Sequence, residues 1–294
     1  MASIQARLIH RIIRIVNLKK QTTKGVFHPP KRTFQSAILT KRIIGNGDFE
    51  TIEIGGRKIG IYTPENANED QTLLYFHGGH YVNEAHPLMH RFARNLANKS
   101  KCKICLMDYP LAPEDTYEET HKWSLEAYNA LLGKVGGELI LCGDSAGGGL
   151  ALALAQRLNE LQHPTPPKKL MLFSPWLDLE FQIPLTDEDE KKCLILHPDT
   201  MHKAAQMYGG DENRANYLLS PINGELSNIG KIALWVGTEE CAYKPSVALL
   251  EKARKYKVYI EFHSCSGMHH DFFLLPIPET KKAIAEMANF INAG

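Results

Sequence analysis

Residues 139–155 read LILCGDSAGGGLALALA: an apolar run of strand length stops at Gly143-Asp144-Ser145-Ala146-Gly147 and turns at once into a strongly helical run. A serine that needs only solvent does not require glycines two residues away on either side. A serine held up on a sharp turn between a strand and a helix does, because a side chain at either glycine position would collide where the two elements cross. The pattern therefore makes Ser145 a candidate nucleophile and Ala146 N–H, at the start of the helix, a donor for developing negative charge. The motif is short enough to arise by chance in a chain with 22 glycines, so the rest of the sequence has to support it.

The rhythm around it does. From TLLYF (72–76) onward, apolar strand-like segments alternate with amphipathic helical ones: residues 87–99, 117–132 and 145–161, then, after KLMLFS, IALWVG and VYIEFH, segments near 244–257 and 278–291. Such alternation predicts an α/β fold with a mostly parallel sheet covered by helices on both faces. Before it, FETIEIGGRKIGIYTP reads as a hairpin around Gly55-Gly56. Residues 178–218 break the rhythm with a charge cluster and a helical stretch, the mark of a cap inserted at a strand's carboxyl end. The expected division is thus residues 1–45 as N-terminal helix and linker contributing to the cap, 46–177 and 219–294 as the core, and 178–218 as the cap insertion.

Charge excludes some partners. Lys and Arg total 34 against 33 Asp and Glu, which gives no basis for a nucleic-acid surface. The six cysteines are scattered, and Cys102 and Cys105 fall on a strand that sends them to opposite faces, so neither a disulfide framework nor a metal site is expected. This usage suits a reducing, cytoplasmic setting. At the N-terminus, Arg7, His10, Arg11 and Arg14 interrupt the apolar run before a signal-peptide core can form. At 100° per residue Ile4, Leu8, Ile9, Ile12, Ile15 and Val16 share one side of a helix and the three arginines gather on another. The expectation is that the apolar side packs on the protein's own cap; contact with a membrane surface through residues 1–20 is the less favoured reading.

A serine nucleophile needs a base, an acid to orient the base, and N–H donors for the oxyanion. His77-Gly78-Gly79-His80, directly after a strand, supplies backbone donors free of side-chain obstruction. Downstream, Glu239-Glu240 and His269-His270 each follow a late strand, giving the order serine, acid, histidine along the chain. The pattern by itself does not choose within either pair.

The ordered segments HGGHYV, DYPLAPE, GDSAGGGLA, SPWLDL, LSPINGEL, VGTEE and GMHHDF, spread from about residue 50 to the C-terminus, resemble the signatures of the bacterial hormone-sensitive-lipase-like esterases, which have the α/β-hydrolase fold. The resemblance implies Ser145, Glu240 and His270 as a catalytic triad, Gly78, Gly79 and Ala146 as the oxyanion hole, and His80, Tyr81 and Asp144 as neighbours of the pocket. It also implies hydrolysis of short-chain carboxylic esters through an acyl-enzyme, with no metal or organic cofactor and a small-molecule ester as the partner. Two positions depart from the family pattern: His80 stands where a third glycine is usual, and Pro110 where an arginine is usual. Lactone or amide hydrolysis would use the same triad, and a ligand-binding protein without turnover would lack one of its members.

Overall fold

The computed structural model describes residues 2–210 and 212–293. Its centre is one sheet of eight strands: β1 (Asp48–Ile54), β2 (Arg57–Thr63), β3 (Gln71–Phe76), β4 (Lys103–Met107), β5 (Glu138–Asp144), β6 (Lys169–Phe173), β7 (Lys231–Gly237) and β8 (Ile260–Cys265). They lie in the order β1-β2-β4-β3-β5-β6-β7-β8. β1 and β2 form the expected antiparallel hairpin, β2 runs antiparallel to β4, and β4 through β8 are parallel.

The helices are α1 (Ile4–Ile15), α2 (Leu18–Phe27), α3 (Lys41–Ile44), α4 (Pro87–Ser100), α5 (Tyr117–Leu131), α6 (Ala146–Glu160), α7 (Asp187–Lys192), α8 (Pro198–Gly209), α9 (Tyr243–Lys255) and α10 (Pro278–Asn292). The parallel strands are apolar at successive positions because both faces are covered. Leu74, Phe76, Leu141 and Leu172 pack with α5 and α6 on one side, while Leu73, Tyr75, Ile140 and Trp235 pack with α4 and α10 on the other. Cys102 and Cys105 fall in these two separate cores, and all six thiols are free. Leu150, Leu154 and Leu158 of α6 are buried, but Leu161, which caps the helix at its C-terminus, is 45% exposed.

Between β6 and β7 the chain leaves the sheet to form α7 and α8. The N-terminal segment joins them in a way the sequence did not announce. Residues 21–34 have the Thr, Gly, Pro and Lys content of a linker, yet Leu18–Phe27 is helical. Local propensity is overridden by packing on the cap: Val26 is fully buried, Thr22 Oγ1 donates to Ile195 O at 2.7 Å, Thr200 Oγ1 donates to Thr23 Oγ1 at 2.8 Å, and Lys19 Nζ donates to Glu190 O at 2.9 Å.

The structure corrects the expected packing of α1. The helix forms, but the side it buries carries Ala6, His10 and Ile13, and of the predicted apolar stripe Ile4, Leu8, Ile12, Ile15 and Val16 face outward while Ile9 is half-buried against the core. Two fixed points set this rotation. Ser3, which caps α1, bonds Glu279 at 2.6 and 2.9 Å, and the His10 ring meets His269 edge-on at 4.2 Å.

Candidate active site

The carboxyl ends of β5, β7 and β8 bring the proposed catalytic residues together. Ser145, between β5 and α6, has φ 50° and ψ −118°, a conformation foreign to both elements. It is pinned by its own backbone: its N–H donates to Phe173 O at 2.9 Å and its carbonyl accepts from Trp176 N at 2.8 Å. The flanking glycines are required by close approach. A Cβ on Gly143 would lie 2.3 Å from Gly147 O, and one on Gly147 would lie 2.0 Å from Phe76 O.

Ser145 Oγ is 2.9 Å from His270 Nε2, and His270 Nδ1 is 2.6 Å from Glu240 Oε2. Glu240 Oε1 in turn accepts from Gly237 N and from Ser174 Oγ, both at 2.7 Å. All three side chains of the Ser-His-Glu chain are buried. The geometry also separates the two ambiguous pairs. Glu239 sends its carboxylate to Thr238 Oγ1 at 3.4 Å, and His269 Nδ1 lies 2.9 Å from Glu239 O, so neither reaches the serine.

Two groups at this centre were not singled out from the sequence. Ser174 holds Glu240 and also accepts from Asp271 N at 3.3 Å. Asp271 places Oδ2 3.5 Å from His270 Nε2, while its Oδ1 is buried without a partner. Asp271 and Ser174 do fall within the signature segments GMHHDF and SPWLDL, but nothing in the sequence gave either a role at the base or the acid, Ser174 standing 66 residues before Glu240. Burial disfavours charge on both members of the His270/Asp271 pair. For the imidazole that effect is outweighed by the carboxylates of Asp271 and Glu240, which hold His270 above its ordinary value. For Asp271, burial pushes the carboxyl well up, against the pull of His270 and with repulsion from Asp144 and Glu240.

The backbone at Gly78 and Gly79 passes directly behind the serine. A Cβ on Gly78 would lie 3.1 Å from Ser145 Cβ and 2.4 Å from Asp144 Oδ2, and Gly79 has φ 123°. Ala146 occupies the first position of α6, where a backbone N–H has no partner within the helix. Two spaces meet at Ser145 and His270. One is a narrow apolar slot, about 20 Å³, walled by Pro175, Trp176, Phe181, Leu196, Met201 and Pro245. The other is an open cleft of about 300 Å³ between Leu18, Gln21 and Thr22 of α2 and the Gly79-His80 turn.

Of the three expected pocket neighbours, His80 lines both spaces, with Nε2 buried and unpartnered. Burial and the nearby His270 push its pKa down to about 4, so the ring is neutral near pH 7. Tyr81 and Asp144 are corrections, for neither lines the slot or the cleft. Tyr81 stacks on Tyr208 of α8, with ring centres 3.9 Å apart, and so ties cap to core. Asp144 is fully buried under the elbow and accepts from the Tyr75 hydroxyl, because the last residue of β5 points into the sheet's packed face. Burial raises its pKa to about 6, with the Tyr75 bond opposing the shift. Among the described residues no group of His, Cys, Asp and Glu is arranged to hold a metal.

Residues 73–274 match the family model described as alpha/beta hydrolase fold. The chain belongs to the α/β-hydrolase family. An esterase of Acinetobacter venetianus is 30% identical over 77% of this chain and 76% of its own length. An acetyl-hydrolase of Streptomyces hygroscopicus is 27% identical over 99% and 97%. In three dimensions, EstE7, a hormone-sensitive-lipase homologue from a metagenome library, superposes with a TM-score of 0.83 over 99% of this chain and 98% of its own, at 24% identity, a likeness of fold. Within the family this α/β-hydrolase is a carboxylic ester hydrolase.

Proposed function

We propose that the chain is a serine carboxylesterase that cleaves short-chain esters through an acyl-enzyme on Ser145. The observation that carries this reading is the continuous chain of hydrogen bonds from Ser145 Oγ through His270 to Glu240 Oε2, at 2.9 and 2.6 Å. His270 takes the serine proton as Oγ bonds to the ester carbonyl carbon, and the N–H groups of Gly78, Gly79 and Ala146 hold the resulting oxyanion. Collapse breaks the bond to the alcohol, which leaves with the proton from His270. Water then attacks the acyl-serine, gives its proton to His270, and the acid departs as that proton returns to Oγ. Glu240 keeps Nδ1 protonated and aimed, and stabilises the imidazolium.

The narrow slot supports a small acyl group, and the open cleft at α2 leaves room for the alcohol. The name acetyl-hydrolase of the Streptomyces relative agrees with that assignment. The experiment is a series of p-nitrophenyl esters of increasing acyl length with the parent and Ser145→Ala. Acetate and butyrate should be cleaved faster than long-chain esters, and the variant, folded normally, should lose at least about 10³-fold in kcat. A fluorophosphonate should label the parent at Ser145 alone. Labelling at another residue, or near-parent turnover by the variant, overturns the mechanism; turnover of lactones or amides in preference to every ester overturns the substrate class.

A further inference from the structure

We infer that α1 is an interfacial helix that seats this enzyme on an anionic phospholipid surface. Ten large hydrophobic side chains are conspicuously exposed among the described residues, and five of them belong to α1 and its C-cap. Ile4 is 74% exposed, Leu8 59%, Ile12 48%, Ile15 73% and Val16 50%. At 100° per residue they form one stripe whose centre lies about 150° from the side that carries the buried Ala6, His10 and Ile13. The stripe thus points almost directly away from the protein.

The occupant is indicated by what borders it. Arg7, Arg11 and Arg14 are exposed and lie along one edge of the stripe, between the apolar side and the protein-facing side. No ion pair to another described residue engages them. A long cationic side chain at the edge of an apolar stripe reaches lipid phosphates while the stripe enters the acyl region. Across the groove from Arg14, Asp187 and Glu190 are outnumbered by Arg14, Lys19 and Lys191, three cations to two anions, so the neighbourhood does not repel such a surface. A second copy of the chain fits less well. A 12-residue helix is about 18 Å long and offers on the order of 200 Å² in projection, far below the ~800 Å² per partner of a stable interface.

Position gives the contact a use. α2 follows α1 after two residues, and its Leu18, Gln21 and Thr22 line the cleft that opens at Ser145. The helix is already ordered by its bonds to Glu279 and by the His10–His269 contact, so docking does not have to fold it. Among the described residues no helix is long and apolar enough to cross a membrane, and the attachment is therefore peripheral and reversible.

The experiment is co-sedimentation of the full chain with phosphatidylcholine vesicles, with and without phosphatidylglycerol, at low and high salt. The parent should bind the anionic vesicles and bind less at high salt. Leu8→Asp with Ile12→Asp should lower the partition coefficient at least about tenfold. Arg7→Gln with Arg11→Gln and Arg14→Gln should lower it up to about 100-fold at low salt and flatten its salt dependence. Circular dichroism and hydrolysis of a soluble ester should be unchanged in both variants, and because binding is read without turnover, its outcome stands apart from the serine mechanism. Failure of the parent to sediment with anionic vesicles, or parent-like binding by both variants, overturns the proposal. So does a dimer by light scattering that Leu8→Asp with Ile12→Asp dissociates, since a second copy would then cover the stripe.

Discussion

Asp271 Oδ2 stands 3.5 Å from the Nε2 of His270, the ring nitrogen that faces Ser145 Oγ at 2.9 Å. The general base therefore has a carboxyl group on each side: Glu240 at Nδ1 and Asp271 at Nε2. A base held above its ordinary value of 6.5 gives up its proton only at higher pH, and only its deprotonated form accepts the serine proton. The ascending limb of kcat/KM should lie above pH 6.5. Asp271→Asn removes one raising carboxylate and should move that limb toward acid, by about one pH unit. A pH–rate profile of the two proteins checks this; an unmoved limb would assign the elevation to Glu240 alone.

Glu240→Gln should lower kcat about 10²- to 10⁴-fold, because an amide no longer fixes the tautomer or balances the imidazolium. Glu239→Gln should stay within about threefold of the parent, since its carboxylate accepts from Thr238 Oγ1 and, among the described residues, has no hydrogen bond to His270 or Ser145. His270→Ala and His269→Ala should show the same asymmetry in steady-state kinetics. Comparable losses within either pair would place the acid or the base on the wrong residue.

His80 has φ 62°, a conformation that glycine adopts without strain, and its ring lines both spaces at the serine. His80→Gly should relieve the backbone while opening the slot. The ratio of kcat/KM for branched or longer acyl esters to that for acetate should rise about tenfold. If the ratio does not change, the ring fills space without touching the acyl group.

Gly147→Ala should damage the elbow without touching any reacting group, for the added methyl would lie 2.0 Å from Phe76 O, a backbone atom of a central strand. The expected loss is about 1–3 kcal/mol, read as a lower Tm, together with a fall in kcat as Ser145 Oγ is displaced. A parent-like Tm would show that strand and helix separate easily at this crossing.

Much of this was legible in the chain because it depends on local rules. The alternation of strands and helices, the Gly55-Gly56 hairpin and the Gly-x-Ser-x-Gly turn each carry their geometry in a few neighbouring residues. The roles of Asp271 and Ser174 were not legible, although both lie in signature segments: one became notable only when its carboxyl turned toward Nε2, and the other only when β6 and β7 brought it to Glu240. Helix α2 was hidden as well, since its stability comes from Val26, Thr22 and Thr23 against the cap and not from its own composition.

By itself the sequence determined the α/β architecture, the strained serine and the order of the residues that follow it, because period, glycine placement and chain order are one-dimensional properties. Residue pattern did not choose between Glu239 and Glu240 or between His269 and His270; the family resemblance pointed to Glu240 and His270, and the tertiary structure is what turns those two toward Ser145, since adjacent residues in a loop differ in direction and not in pattern. It also reversed the reading of α1. An apolar stripe in the sequence states that a face prefers to leave water; which way that face turns was set by Ser3 on Glu279 and His10 on His269, contacts spanning more than 250 residues that no helical period encodes.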